Sequence, residues 1–353
     1  MSTQRPRLTP AIADLRRAVR GLESWRSAAS SLALVALSGG PDSLALAAAV
    51  AFEAPRTGWR AGAVIVDHGL QEGSAAVAAN AAAQATALGL NPVIIRRVKI
   101  SAGSSGPEAA ARTARYAALT AVASETGAAI VLLGHTLDDQ AETVLLGLAR
   151  GSGAASLTGM AEQLGLFVRP LLGIRRATTV QACLDAGLTA WKDPHNALSK
   201  YSRVRVRTRV LPVLEEELGP GIAEALARTA AQLREDAEAL DRFAEEMVED
   251  LAEIAEGGIS LPVAALAANP AALRQRIIRL VVAGEFHISL TRAHTLEVAR
   301  LVTHWHGQGP LDLPGVRVDR KIGLIVFTAM APASSFSHEN TPRPERTDDN
   351  HEV

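Results

Sequence analysis

Four times within its first 150 residues this chain repeats one arrangement: a short apolar run, a break, and a longer helix-forming stretch. The apolar runs are Leu32–Leu37 (LALVAL), Ala63–Val66 (AVIV), Pro92–Ile100 (PVIIRRVKI) and Ala129–Leu133 (AIVLL). The helical stretches are Leu44–Ala54, Ser74–Leu88, Pro107–Thr126 with proline in its first turn, and Asp138 to about Ala149. LALVAL is apolar throughout rather than alternating, as a strand buried on both faces is. Strand and helix alternating at this spacing predict an α/β fold with a doubly wound, mainly parallel sheet. In such sheets a ligand lies beyond the carboxyl ends of the strands.

The pattern changes after Arg150. Gly151–Gly159 (GSGAASLTG) is turn-rich, and Trp191–Pro212 reads as irregular and basic. Pro220–Glu256 is helix-forming, with Ile222, Leu226, Ala230, Leu233 and Leu240 at helical spacing. Ala271–Gly284 and Thr291–Thr303 predict further helices, and Leu311–Val318 with Ile322–Phe327 a terminal hairpin. The expected organisation is a catalytic α/β domain over 1–218, a smaller helical domain over 219–330, and a polar, disordered tail over 331–353.

Composition narrows the function. With 48% hydrophobic and 21% charged residues, global disorder is excluded. Aromatics at 3% argue against a surface that binds nucleic acid by stacking bases on rings. A net charge of −1 requires any RNA contact to come from a local patch. The single cysteine, Cys183, excludes a disulfide framework, a zinc ribbon and a C-x-x-C pair. It falls in an apolar helical pattern and reads as core. No apolar run approaches the roughly 18–20 residues of a membrane span. Arg5, Arg7, Arg16, Arg17 and Arg20 have no apolar run behind them, so no secretory signal is expected. The expectation is a cytoplasmic protein without a membrane partner.

The segment that joins the first strand to its helix is Ser38-Gly39-Gly40-Pro41-Asp42-Ser43. Its residues are those of ordinary turns, and also those of a phosphate cradle: glycines admit close backbone approach, and a helix N-terminus attracts anions. Two serines, two glycines and an aspartate at one junction favour the cradle. It lacks the G-x-x-x-x-G-K-[ST] pattern of kinases and GTPases. Asp67 and His68 follow the second strand onto the same rim, where a histidine commonly makes only a backbone bond. Glu108, Arg112 and Arg115 share one helix face, and a surface ion pair is the simpler reading of Arg115. Asp138 and Glu142 lie four apart at a helix start; Thr136 with Asp139 fits a capping box that accounts for Asp139 but not for Glu142. Between Arg169 and Arg209 nine basic residues face two acids, a surplus of seven. Arg203, Arg205, Arg207 and Arg209 read either as a solvated basic face or as a phosphate-backbone contact. His294 and His304-Trp305-His306 lack metal-ligand spacing and read as structural or surface groups.

SGGPDS after the first strand resembles the PP-loop of the N-type ATP pyrophosphatases. The likeness continues in order through Val66-Asp67-His68-Gly69-Leu70, Glu108-Ala109-Ala110-Ala111-Arg112 with Arg115-Tyr116, and Leu133-Gly134-His135. It runs on through Asp138-Asp139-Gln140-Ala141-Glu142-Thr143, Arg150-Gly151-Ser152-Gly153, Arg169-Pro170-Leu171-Leu172 and Trp191-x-Asp193-x-x-Asn196. This ordered series, over about residues 30–215, is similar to the tRNA(Ile)-lysidine synthetase family. The resemblance implies a ligase that adenylates the wobble cytidine C2 oxygen in the CAU anticodon of an isoleucine tRNA. Free L-lysine then displaces AMP to give lysidine, so that the codon read changes from AUG to AUA.

By the same resemblance, ATP is held by Ser38, Gly39, Gly40, Pro41, Asp42, Ser43, Val66, His68, Arg112, Gly134 and His135. Mg²⁺ falls to Asp42 and Asp138, lysine to Asp138 and Glu142, the chemistry to Asp42, Arg112 and Asp138, and tRNA to Arg203, Arg205 and Arg207. A second copy of the chain, as a homodimer, is a further candidate partner. The alternative enzyme is a PP-loop tRNA thiolase, which needs a sulfur carrier that one cysteine supplies poorly; a nucleotide-binding module or RNA chaperone without chemistry is a third reading. Two departures stand out. Thr136 replaces a second histidine common in the family, and the C-terminal part is shorter than in the longest members, so RNA contacts are expected to be distributed differently.

Overall fold

The structure, a computed structural model, describes residues 8–26, 31–69, 73–99, 107–151, 153–193 and 200–330. The expected tail over 331–353, Leu70, Ser152 and Asn196 of the motif series, and the side chain of Glu108 lie outside the described residues. The chain divides into two compact units, Met1–Glu235 and Asp236–Val353.

The first unit runs α1 (Pro10–Arg20), β1 (Leu32–Ala36), α2 (Pro41–Glu53), β2 (Arg60–Asp67), α3 (Ser74–Ala87), β3 (Val93–Arg97), α4 (Pro107–Thr126), β4 (Ala128–Leu133) and α5 (Leu137–Arg150). A short antiparallel pair, β5 (Gln163–Leu164) and β6 (Phe167–Val168), precedes α6 (Arg176–Asp185). The six strands lie in the order β3-β2-β1-β4-β6-β5, with every pairing parallel except β5–β6. The expected mainly parallel α/β sheet is what forms.

β1 sits at its centre, and the reason is its sequence. Ala33 and Val35 enter one apolar cluster with α1, α2, α3 and α6, while Leu32, Leu34 and Ala36 enter another with Leu119 and Val122 of α4. Helices therefore cover both faces, which is why LALVAL carries no polar alternation. The carboxyl ends of β1, β2 and β4 open onto one rim.

The stretch that reads as irregular, Trp191–Pro212, is helical in its second half. α7 (Ser202–Arg205) passes through a π-turn at Val206–Val210 into α8 (Leu211–Glu217). Alternating valine and arginine disguise the helix as a period of two, yet Val204 and Val206 are buried and Arg203 and Arg207 stand one turn apart. α9 (Ile222–Leu251) begins in this unit, past the expected boundary at residue 218. Its first turns pack there: Ala223 joins Leu137, Val206 and Leu211, and Arg234 donates to the Met160 carbonyl at 2.8 Å.

The second unit continues α9 and adds β7 (Glu253–Ala255), β8 (Gly258–Pro262), α10 (Val263–Ala268), α11 (Ala271–Phe286), α12 (Arg292–Thr303), β9 (Leu311–Leu313), β10 (Val316–Lys321) and β11 (Leu324–Ala329). Its strands form an antiparallel sheet, β7-β8-β11-β10-β9, around Leu261, Ile277, Val298, Val318 and Phe327. The expected hairpin is thus three strands of five. β7 and β8 escape a local reading because β8 is held by pairing with the distant β11. Among the described residues no helix is long and apolar enough to cross a membrane.

Leu34 has no solvent exposure. Leu34→Ala is expected to lower unfolding stability by about 2–5 kcal/mol, through lost burial and a cavity at the sheet centre. Urea unfolding measures this, and a midpoint equal to wild type would show that β1 is not the packing centre.

Candidate active site

At the end of β1 the chain turns through Ser38, Gly39 and Gly40 into α2. Gly39 has φ +80°, a left-handed conformation that a side chain would strain. Gly40 caps α2 without any side-chain bond, so the first amides of the helix stay available to a ligand. The loop is held internally by Ser43, whose hydroxyl donates to the Gly40 carbonyl at 3.0 Å and accepts from the Ser38 amide at 3.2 Å. From outside, the Trp191 amide donates to the Gly39 carbonyl at 2.9 Å. Gly134, just past β4, presses against the loop backbone: a Cβ there would lie 3.2 Å from Ser43 N and Cα.

Three cavities follow one another along this rim. One of about 260 Å³ lies over the loop, lined by Ser38, Gly40, Pro41, Asp42, Ser43, Gly134, His135, Asp139, Arg115, Arg176 and Arg207. A second, of about 270 Å³, shares Ala36, Ser38 and Arg115 with it and is walled by Val66, His68, Val77, Leu119 and Trp191. A third, of about 150 Å³, shares Arg176 and Arg207 with the first and includes Asp138, Glu142 and Arg175. The Nδ1 atoms of His68 and His135 are buried without a partner among the described residues. Burial, with help from Arg115, pushes both imidazoles down, His135 to about 4. Both are neutral near pH 7, and a buried nitrogen without a partner is free to meet a ligand.

The wall between the first and third cavities is an acid–arginine cluster. Thr136 caps α5 reciprocally with Asp139, its amide and hydroxyl each 2.8 Å from Asp139 Oδ2. This is the work done by the residue that replaces the family's second histidine. Arg176, first residue of α6, reaches Asp139 at 2.7 Å, Glu142 at 3.1 Å and Asp42 at 3.7 Å, while its amide donates to Asp138 at 2.7 Å. Arg207 grips both oxygens of Glu142, at 2.7 and 3.1 Å, and Arg203 stands 3.7 Å from the same carboxylate. Asp42 also accepts from the Thr179 hydroxyl. Burial pushes the Asp42 carboxyl above its ordinary value, against the pull of Thr179 and Arg176. Burial acts the same way on Asp139, but Arg176 and the Thr136 bonds outweigh it and hold that carboxyl low.

The structure therefore brings the loop residues, Gly134 and His135 onto one cavity, Val66 and His68 onto the next, and Asp138 and Glu142 onto the third. Arg112 lines none of the three; it is exposed, 5.1 Å from the Tyr116 ring centroid. Arg115, read as a surface pair, is the arginine of α4 that lines both larger cavities; it stands almost one turn further along the helix than Arg112. Asp139 does more than cap. Arg203 and Arg207 point into the acid cluster, whereas Arg205 is exposed and donates to the Lys200 carbonyl at 3.0 Å. Sequence reading missed Arg176 and Thr179. The neighbouring Arg169-Pro170-Leu171-Leu172 marked the region but not the side chains.

A parallel sheet whose first strand feeds a glycine–serine cradle at a helix start defines a nucleotide-binding protein of the PP-loop class, and the PP-loop domain matches residues 14–214. The TilS substrate binding domain matches residues 261–322, in the second unit. Over 301 residues the chain is 63% identical to the tRNA(Ile)-lysidine synthase of Leifsonia xyli subsp. xyli, covering 85% of this chain and 90% of that one. It is 53% identical to that of Thermobifida fusca (89% and 95% covered) and 52% identical to that of Streptomyces coelicolor (83% and 83%). The chain belongs to the tRNA(Ile)-lysidine synthase family. The U34-tRNA thiolase NcsA from Methanococcus maripaludis, solved with its [4Fe-4S] cluster, shares the fold alone, with a TM-score of 0.54, 21% identity, and 64% and 80% of the two chains covered.

Two outcomes test this geometry. Gly134→Ala puts a methyl 3.2 Å from the Asp42–Ser43 backbone of the loop, and ATP affinity, measured calorimetrically, is expected to fall about tenfold, near 1.4 kcal/mol. Unchanged affinity would mean that the loop does not depend on this contact. His135, held near 4, stays neutral in the folded protein while the unfolded chain takes up its proton below about 6.5. Stability should therefore fall as pH drops from 6.5 to about 4. His135→Gln should flatten that slope by up to one proton, about 1.4 kcal/mol per pH unit. An equal slope in both proteins would place His135 in an ordinary solvated environment.

Proposed function

We propose that this protein joins free lysine to the wobble cytidine of an isoleucine tRNA with a CAU anticodon, using ATP, as a carbon–nitrogen ligase of the cytoplasm. The observation that carries the reading is the adjacency of an open phosphate cradle and a buried acid–arginine wall, in a chain whose relatives are named for this product. The cytidine C2 oxygen is a poor leaving group until it is bonded to the α-phosphate. The protein's part is to align that oxygen with the phosphate and to stabilise the charge that develops. The amides of the Ser38–Ser43 loop and Arg115 would hold the phosphates, and the Val66–His68 cavity the adenosine. When bound, Mg²⁺ neutralises phosphate charge. It is normally held by one or two carboxylates plus the phosphates themselves, which suits Asp42, desolvated and facing the cradle.

The attacking amine must be neutral, so carboxylates have to receive lysine's ammonium and then help remove its proton. Asp138 and Glu142 are assigned that part. Glu142 already carries three guanidiniums, and Asp138 is the more loosely paired, 3.5 Å from Arg175. Arg205, which donates to the Lys200 carbonyl, and the equally exposed Arg209 are the arginines of the basic helix assigned to RNA phosphates. A thiolase would need a reactive sulfur, and Cys183 is buried, its thiol pushed up to about 11 by burial.

The test is incubation with ATP, Mg²⁺, labelled lysine and CAU-anticodon tRNA, followed by nucleoside analysis. Lysidine should form with one AMP per lysine, and Asp42→Asn should lower that rate at least about a hundredfold, as loss of transition-state charge stabilisation does, with the fold retained. Absence of lysine from the tRNA, or a full rate in the variant, would overturn the reading.

A further inference from the structure

Past α6 the chain runs through residues 188–193 without forming a helix or a strand, yet this segment walls the Val66–His68 cavity with Trp191 and Asp193. Leu188 and Ala190 pack against the apolar cluster shared by α1, α2, α3 and α6. Thr189 is exposed, and α3 and residues 189–192 line a groove of about 480 Å³ between them. Apolar packing therefore supports only the inner side of the segment.

Across the groove the support is polar. α3 is built mostly of alanine, and its two amides, Asn80 and Gln84, stand four apart on one face. Gln84 Nε2 donates to Asn80 Oδ1 at 2.9 Å and to the Thr189 carbonyl at 3.0 Å, while Gln84 Oε1 accepts from the Thr189 amide at 2.9 Å. A carboxamide offers a donor and an acceptor side by side, as a peptide does. Gln84 thus grips both backbone groups of Thr189 as a residue of a neighbouring strand would. Asn80, by accepting from Nε2, fixes which way that amide faces.

Two residues further on, the Trp191 amide donates to the Gly39 carbonyl at 2.9 Å. Trp191 Cβ lies 3.9 Å from the point where a side chain on Gly39 would begin, at the residue whose φ of +80° turns the loop. Gln84 itself lines neither the loop cavity nor the Val66–His68 cavity.

We infer that Gln84 is a positioning residue for the nucleotide site: its grip on Thr189 sets Trp191 across the Ser38–Ser43 loop and holds the wall of the Val66–His68 cavity in place. This rests on the proposed reading of that cavity as the adenosine site, and it names a residue outside the cavity on which its shape depends.

The experiment measures ATP binding by calorimetry, and KM and kcat for ATP in the complete tRNA reaction, on the full chain. Gln84→Met keeps the length and helix propensity of the side chain and loses both bonds. It should weaken ATP binding and raise KM for ATP about tenfold, the worth of one net hydrogen bond. Its kcat at saturating ATP should stay within about twofold of wild type, the mark of lost binding rather than lost chemistry. Gln84→Glu keeps the acceptor but turns a second oxygen on the Thr189 carbonyl, and should lose at least about threefold in affinity. The emission of Trp191, taken as the difference from Trp191→Phe in each background, should shift to the red in free Gln84→Met as the ring gains water. If Gln84→Met melts below the assay temperature, Gln84→Glu decides by the same readouts. Wild-type ATP affinity in a variant whose melting temperature has fallen marks a purely structural bond and overturns the positioning role, as does a fall in kcat with KM unchanged. A wild-type protein that binds ATP but transfers no lysine overturns the ligase reading, and calorimetry alone then decides for or against Gln84. One that binds no ATP overturns the adenosine reading and this inference with it.

Discussion

A carboxylate cut off from water must find cations, and Glu142 finds three. The cost of desolvating a lone carboxylate is several kcal/mol, so Glu142 can be buried only because Arg176, Arg207 and Arg203 converge on it. These partners come from α6 and from the basic helix around the π-turn, which also packs Val206 and Leu211 against Leu137 and Ala141 of α5. Removing any one strands charge in the interior. The cluster thereby fixes three separate stretches of chain against one another and sets the height of the wall beside the phosphate cradle.

That wall accounts for the series of cavities. The loop side carries backbone amides, Arg115, and the guanidiniums of Arg176 and Arg207, a surface for polyanions. The far side mixes Arg175 with Asp138 and Glu215, charges of both signs. The Val66–His68 side is mainly apolar, with one neutral imidazole and with Asp67, Asp193 and Arg115 also on its lining. Each character follows from which strand end or helix start opens there.

The same sheet serves other chemistry. The thiolase from Methanococcus maripaludis shares the fold at 21% identity and carries an iron–sulfur cluster. Here the sole cysteine sits on α6 with its side chain in the core, and the face of that helix turned toward the loop presents Arg176 and Thr179 instead. Chemistry is decided by the side chains that the strand ends and helix starts carry to the rim, while the scaffold stays constant.

Sequence alone determined whatever depends on near neighbours. Leu32–Leu37 reads as a doubly covered strand because both of its side-chain rows are apolar. Ser38–Ser43 reads as a cradle because the turn and the helix start are adjacent in the chain. Thr136 with Asp139 reads as a cap because the partners lie three residues apart. The tertiary structure decided everything that depends on who faces whom across a distance. Thr179 meets Asp42 from 137 positions away, and no local pattern encodes that meeting. Arg203 and Arg207 read as an RNA surface until α5 supplies the buried carboxylate that claims them, and Arg115 rather than Arg112 turns to the cavities because α4 packs on the sheet with that face. A charge run announces that charges exist; only packing, through the cost of burying them unpaired, selects their partners.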